Sequence, residues 1–125
     1  MIQYLYNQTT SMIRRQMIAR RNASTQTEKQ KASQIICKTL LVRPECKKAT
    51  AICVYVSLPE EVDTRNIFQT LFEQKKSVIV PRVEGSHLRL HQIQSMDDLT
   101  KGSFGIAEPK RSCPEVETSF VDLFI

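Results

Sequence analysis

The sequence predicts an α/β fold built on a mostly parallel sheet, and three observations carry that prediction. Ala51-Ile52-Cys53-Val54-Tyr55-Val56 and Val78-Ile79-Val80 are continuous apolar, β-branched runs, as expected of strands buried on both faces. Between them Ile67, Phe68, Leu71 and Phe72 recur at helical spacing, which makes a strand–helix–strand unit with a right-handed crossover. The 125 residues are 41% hydrophobic and 25% charged, an average globular composition and at most one domain's worth of core.

The elements follow in order. Residues 1–9 read as a polar and aromatic leader without a clear period. A helix is expected from Thr10 or Ser11, with Ile13 and Met17 on one face and Arg14 and Arg21 on another. Thr25-Gln26-Thr27-Glu28 is a capping box, in which the threonine hydroxyl and the glutamate carboxylate each satisfy the other's backbone N–H. The helix it opens carries Ala32, Ile35, Ile36, Leu40 and Leu41 as the expected core-facing stripe and stops at Pro44. After the first strand, Ser57-Leu58-Pro59-Glu60-Glu61 is a loop, and Asp63 or Thr64 caps the crossover helix. Lys75 and Lys76 stand at that helix's C-terminus, where its dipole favours cations.

The second strand runs into Pro81-Arg82, and Glu84-Gly85-Ser86 is a turn. Leu88-Arg89-Leu90-His91 alternates like a half-exposed strand, and residues 95–99 suggest a short helical turn. Gly102, Gly105, Pro109 and Pro114 mark a long connecting segment. Phe120-Val121-Asp122-Leu123-Phe124-Ile125 reads as one more buried strand, apolar to its last residue, as if the domain continued beyond it.

Charge is unevenly placed. Residues 1–50 hold ten basic side chains against Glu28 and Glu45, whereas residues 51–125 hold eight basic and eleven acidic ones, so the net +5 resolves into +8 and −3. A basic segment of that density attracts phosphate, whether on a nucleotide, RNA or an anionic membrane. The acid-free, Arg-rich start also has the composition of a mitochondrial transit peptide, while no secretory apolar core is present. No apolar run reaches the roughly 20 residues of a membrane helix. Cys37, Cys46, Cys53 and Cys113 lack zinc-type Cys-x2-Cys spacing and read as buried, reduced thiols. His87 and His91 read as surface or satisfied histidines, and Asp97-Asp98 as part of the short helix; no metal-ligating set is expected. No Gly-x-Ser-x-Gly nucleophile motif and no Gly-rich phosphate loop of the Walker type occurs, and the chain has only three glycines.

Six pieces in register resemble one known family: the Arg-rich first helix, the capped second helix, Val56-Ser57 leading to Glu61 and Thr64, Val80-Pro81-Arg82, Gly105-Ile106-Ala107-Glu108-Pro109, and Asp122-Leu123-Phe124-Ile125. From about Ile13 to Ile125 the chain resembles the N-terminal portion of 5-formyltetrahydrofolate cyclo-ligase, also called methenyltetrahydrofolate synthetase. The resemblance implies a three-layer α/β/α fold of the ribose-5-phosphate isomerase and CoA-transferase type, incomplete at the C-terminus, with residues 10–125 forming part of a single domain. It implies a reaction in which ATP and Mg2+ serve the conversion of 5-formyltetrahydrofolate to 5,10-methenyltetrahydrofolate, with the formyl oxygen attacking the γ-phosphate and N10 then closing the ring.

Residue by residue, Arg14 matches an arginine on ATP phosphates, and Thr10 stands where the family usually has a phosphate-binding lysine. Val56 matches an apolar contact to the folate, Glu61 an acid that accepts from pterin N–H groups, and Phe104 and Ile106 fall where apolar contacts to the ligand are made. The Pro-Gly and Gly-rich, Arg- and Tyr-containing loop that follows Asp-Leu-Phe-Ile in the family is not in this sequence, so the chain alone is expected to be inactive or weak. A small-molecule ligand, a monomeric state, no membrane contact and a cytoplasmic location, with the mitochondrion as the alternative, complete the expectation. The competing reading is a non-catalytic basic module binding RNA, against which stand the 6% aromatic content and the lack of a stacking motif beside the basic residues. A third is a structural remnant with no ligand.

Overall fold

In the computed structural model, residues 1–102 and 105–125 are described. Helices α1 (Ile2–Ala23), α2 (Gln26–Leu41) and α3 (Pro44–Lys48) precede strand β1 (Ala51–Cys53). Helix α4 (Arg65–Glu73) then crosses to β2 (Ser77–Glu84), which turns directly into β3 (His87–Ile93). The remaining strands are β4 (Leu99–Lys101), β5 (Ala107–Pro109), β6 (Glu115–Val116) and β7 (Leu123–Phe124). The main sheet has the order β6-β3-β2-β1-β7, and β4 pairs with β5 in a separate two-stranded ribbon.

The expected α/β core is present: β1 lies at the heart of the sheet, parallel to β2 on one side and to β7 on the other. The other flank is antiparallel, because β2 and β3 form a hairpin whose ends meet at Glu84 and His87. Its two-residue turn is made by Gly85-Ser86, with Gly85 at φ +60°, a conformation glycine adopts without a Cβ penalty. The sheet is therefore mixed, with parallel pairing confined to the strands around β1.

Most of the core lies on the face covered by α2, α3 and α4, where Phe68, Ile67 and Leu71 of α4 meet Ile52, Val54, Val78 and Val80 of the sheet. The opposite face holds a smaller cluster of Ala51, Cys53 and Ile79, filled in by Leu90, Val116 and Val121. Asp122 fixes β7 against β1: its Oδ2 accepts from the N–H of Thr50 (2.9 Å), the hydroxyl of Thr50 (2.8 Å) and the N–H of Ala51 (3.0 Å).

Several expectations need correction. Helix α1 begins at Ile2, so residues 2–9 are helical. The hydroxyls of Thr9 and Thr10 bond back to the carbonyls of Leu5 and Tyr6, and Gln8 bonds to Tyr4, which satisfies side chains that otherwise compete with the helix. The capping box at Thr25 and Glu28 forms as expected, with both reciprocal bonds present. The buried face of α2 is Ser33 and Cys37 with Leu40 and Leu41 half-buried, while Ala32, Ile35 and Ile36 are exposed. Pro44 ends one helix by opening the next, at the first position of α3, where its missing N–H costs nothing.

Lys76 serves α3 rather than α4: its Nζ donates to the carbonyls of Cys46 (2.8 Å), Lys47 (2.9 Å) and Ala49 (2.6 Å). Lys75 takes φ 57° as the chain leaves α4. The segment between Gly102 and Pro114, expected as a plain connection, contributes β5 to a ladder with β4. A short 3-10 turn (Thr118–Phe120) leads to the two-residue β7, so the expected buried strand over 120–125 shrinks to Leu123–Phe124, with Phe120 and Phe124 about half-exposed. All four cysteines are buried free thiols, and burial pushes the Cys53 thiol up to about 11. No helix among the described residues is long and apolar enough to cross a membrane.

Candidate functional site

The end of β1 and the loop after it are held by a reciprocal clamp. The hydroxyl of Thr64 donates to the carbonyl of Tyr55 (2.9 Å) and accepts from the N–H of Ser57 (3.2 Å). The Ser57 hydroxyl in turn accepts from the N–H of Thr64 (3.1 Å). Thr64 is 1% exposed, so these bonds form away from water and fix where Val56 emerges from the sheet. Thr64 occupies the N-cap position of α4, but the acceptor for the first helical N–H is Asp63, whose Oδ1 takes the N–H of Arg65 at 3.0 Å. Hydrogen bonds from Arg65 hold the Asp63 carboxyl below its usual range. Behind it, the Ser33 hydroxyl accepts from the Asp63 N–H (3.0 Å) and the Cys37 thiol donates to the Asp63 carbonyl, tying α2 to the loop.

Glu61 closes the same loop. Its Oε2 accepts from the N–H of Leu58 (2.8 Å), and its own N–H returns to the Leu58 carbonyl (3.0 Å). This tight turn aims the carboxylate at a junction where several cavities meet. One, of about 560 Å³, runs between α2 and the loop past Val56, Ser57, Glu61 and Phe68. A second, of about 320 Å³, is walled by Tyr55, Val56, Glu61, Val80, Pro81, Ile106 and Glu108. A third is an open groove of about 680 Å³ along α1, lined by Thr10, Ile13, Arg14, Met17, Ile18, Arg21 and Glu61. Volumes of this size suit small-molecule ligands.

The structure thus places Thr10, Arg14 and Glu61 on one groove and Val56, Glu61 and Ile106 on one cavity, with Glu61 common to both. Phe104 lies outside the described residues. Sequence reasoning passed over Arg21, which lines the α1 groove and a fourth cavity beside Glu60 and Glu61. The seven-residue spacing from Arg14 was the available signal. It also passed over Tyr55, whose hydroxyl donates to the Val62 carbonyl (3.1 Å) and whose pKa is raised first by burial and then by Glu61 nearby.

The groove offers guanidinium groups without competing acids other than Glu61, an environment suited to phosphate. The cavity offers an apolar slot ending on a carboxylate, suited to a flat heterocycle with N–H donors. Among the described residues no group of three His, Cys, Asp or Glu side chains could hold a metal ion.

The chain is similar to known proteins along most of its length. The model of the 5-formyltetrahydrofolate cyclo-ligase family matches residues 6–125. A curated Schizosaccharomyces pombe protein, described as a probable 5-formyltetrahydrofolate cyclo-ligase, is 36% identical over 77 residues, which cover 59% of this chain and 38% of that protein. The NMR structure of Aquifex aeolicus 5,10-methenyltetrahydrofolate synthetase superposes with a TM-score of 0.81 at 29% identity, covering 91% of this chain and 58% of that one. The chain therefore spans between about two fifths and three fifths of the length of these relatives.

Proposed function

The chain belongs to the 5-formyltetrahydrofolate cyclo-ligase family, and from that premise we propose that it carries the folate-binding wall and one phosphate-binding helix of an ATP-dependent cyclo-ligase. The substrate of the reading is 5-formyltetrahydrofolate and the product 5,10-methenyltetrahydrofolate. The observation that supports it best is the position of Glu61, shared by the Arg14 groove and the Val56 cavity. A ligand whose pterin lies in the cavity and whose formyl group faces the groove would meet a nucleotide phosphate there.

In this reading Val56 and Ile106 hold the pterin faces, and the Glu61 carboxylate accepts from its N–H edge while the Leu58 N–H keeps that carboxylate from rotating. Arg14 and Arg21 bind the phosphates of ATP, with the Thr10 hydroxyl standing where the family commonly has a lysine. The chain's contribution to rate is then orientation and charge neutralisation, which dominate phosphoryl transfer. The nucleotide of this reading is ATP with magnesium, and this chain, which spans at most about three fifths of the relatives' length, supplies part of the nucleotide cradle.

The test pairs equilibrium binding with turnover. The 125-residue chain should bind 5-formyltetrahydrofolate, and Arg14→Met should weaken ATP binding without changing folate binding. Formation of methenyltetrahydrofolate, followed by absorbance with ATP and magnesium, should be slow or undetectable. Turnover at rates typical of enzymes would refute the dependence on further protein. Absence of folate binding would refute the reading itself.

A further inference from the structure

Glu108 is the one buried carboxylate among the described residues, at 9% exposure. Other partly sheltered carboxylates among the described residues, Glu60 excepted, are satisfied at hydrogen-bond distance. Asp98 takes the N–H groups of Gln94 and Ser95, Glu61 takes that of Leu58, and Glu84 meets Arg89 at 2.8 Å. Glu108 accepts no hydrogen bond from the described residues. Its one charged partner is Arg82, whose Nη2 lies 3.6 Å from Oε1, beyond hydrogen-bond reach.

Arg82 is itself committed elsewhere, donating to the Pro109 carbonyl at 2.6 Å, while its buried Nε makes no hydrogen bond and lies 3.6 Å from Oε1 of Glu84. A buried charge held only by a long ion pair is poorly compensated for its lost hydration. The acceptor capacity of Glu108 faces the cavity it lines and is open to a donor entering there. Glu108 lines the same 320 Å³ cavity as Val56, Glu61 and Ile106.

We infer that Glu108 is a second acceptor in the pterin cavity, and that Arg82 aims its carboxylate. This inference rests on the proposed folate site and names how that site would discriminate among heterocycles. The reduced pterin carries the N3–H, the 2-amino group and the N8–H along one side, more donors than one carboxylate accepts in bidentate fashion. With Glu61 and Glu108 dividing them, the cavity selects a ring rich in N–H donors and rejects one that presents acceptors there, because both carboxylates would then face lone pairs.

The experiment measures binding of 5-formyltetrahydrofolate, of a reduced pterin lacking the aminobenzoylglutamate tail, and of the aminobenzoylglutamate tail alone, to wild type, Glu108→Gln, Glu108→Asp and Glu61→Gln. Expected is a loss of about 10- to 100-fold in Glu108→Gln for both pterin ligands, with tail binding unchanged. Glu108→Asp keeps the charge but withdraws it from the cavity and should fall between. Wild-type affinity for the pterins in Glu108→Gln, beside a loss in Glu61→Gln, would overturn the inference and leave the folate site standing. Failure of both Glu108 variants to fold would make Glu108 a structural carboxylate and likewise overturn it. A wild-type chain that binds neither pterin ligand would remove the site and the inference together.

Discussion

Replacing Gly102 with alanine should unseat Glu108. A Cβ at Gly102 would stand 2.6 Å from Oε2 of Glu108 and closer still to its Cγ and Cδ, well inside contact distance. The Gly102 backbone is fixed by its N–H bond to the Ile106 carbonyl at 2.9 Å, so the glutamate has to yield. With Glu108 91% buried, the room available is the cavity, and moving there separates the carboxylate from Arg82. Disrupting a buried pair costs about 3–5 kcal/mol when contact is tight. At 3.6 Å the loss is smaller, and alanine returns about 0.4–1 kcal/mol by restricting the unfolded chain. The net cost is about 2–3 kcal/mol, or roughly 6–15 °C in Tm for a domain of this size.

Urea unfolding of wild type, G102A, E108A and the double variant measures it as a cycle. In the E108A background the alanine at 102 has nothing to displace and should cost less than about 0.5 kcal/mol. An equal cost of G102A in both backgrounds, or none in either, would refute the reasoning.

Three further outcomes are expected. Lys76→Met removes the cation from the carbonyl end of α3 and should cost about 1–3 kcal/mol, read by thermal unfolding, while leaving the ligand cavities intact. Thr64→Val keeps shape but strands the Tyr55 carbonyl and Ser57 N–H. It should cost about 2–3 kcal/mol and weaken folate binding, whereas Thr64→Ser should retain both, as calorimetric unfolding and ligand titration would show. Asp122, held below the ordinary carboxylate range by the Thr50 and Ala51 N–H groups and the Thr50 hydroxyl, stabilises the fold above pH ~4. That contribution is lost as pH falls through its lowered folded value, so Tm measured from pH 6 to 3 should fall less steeply in Asp122→Asn.

What the sequence makes legible here is local or strongly periodic. Thr25 and Glu28 specify their cap within four residues, and Ile67, Phe68 and Leu71 specify the face of α4. The apolar runs at β1 and β2 are parallel neighbours because a helix of the right polarity lies between them. What escapes it depends on partners far along the chain. Ile35 and Ile36 form a stripe as apolar as Cys37 and Leu40, and only the position of Asp63 and the sheet decides which stripe is covered. Lys76 neighbours α4 in sequence but reaches α3, nearly thirty residues away.

Of the site, Val56, Glu61, Thr10, Arg14 and Ile106 rest on motif resemblance; the structure puts Glu61 on one groove with Thr10 and Arg14 and on one cavity with Val56 and Ile106, and the Thr64–Ser57 clamp and the turn at Leu58 fix only Val56 and Glu61. Glu108 stood in a quoted motif without a role. Its burial beside Arg82 comes from the β4–β5 ribbon, which glycine and proline spacing had disguised as a connection.

The most direct test is a calorimetric titration of 5-formyltetrahydrofolate into the wild-type chain and into Glu61→Gln. The account predicts saturable one-site binding by the wild type, weakened about tenfold or more when the charged acceptor is removed without change of shape. Equal binding by the two proteins, or no binding by the wild type, would contradict it.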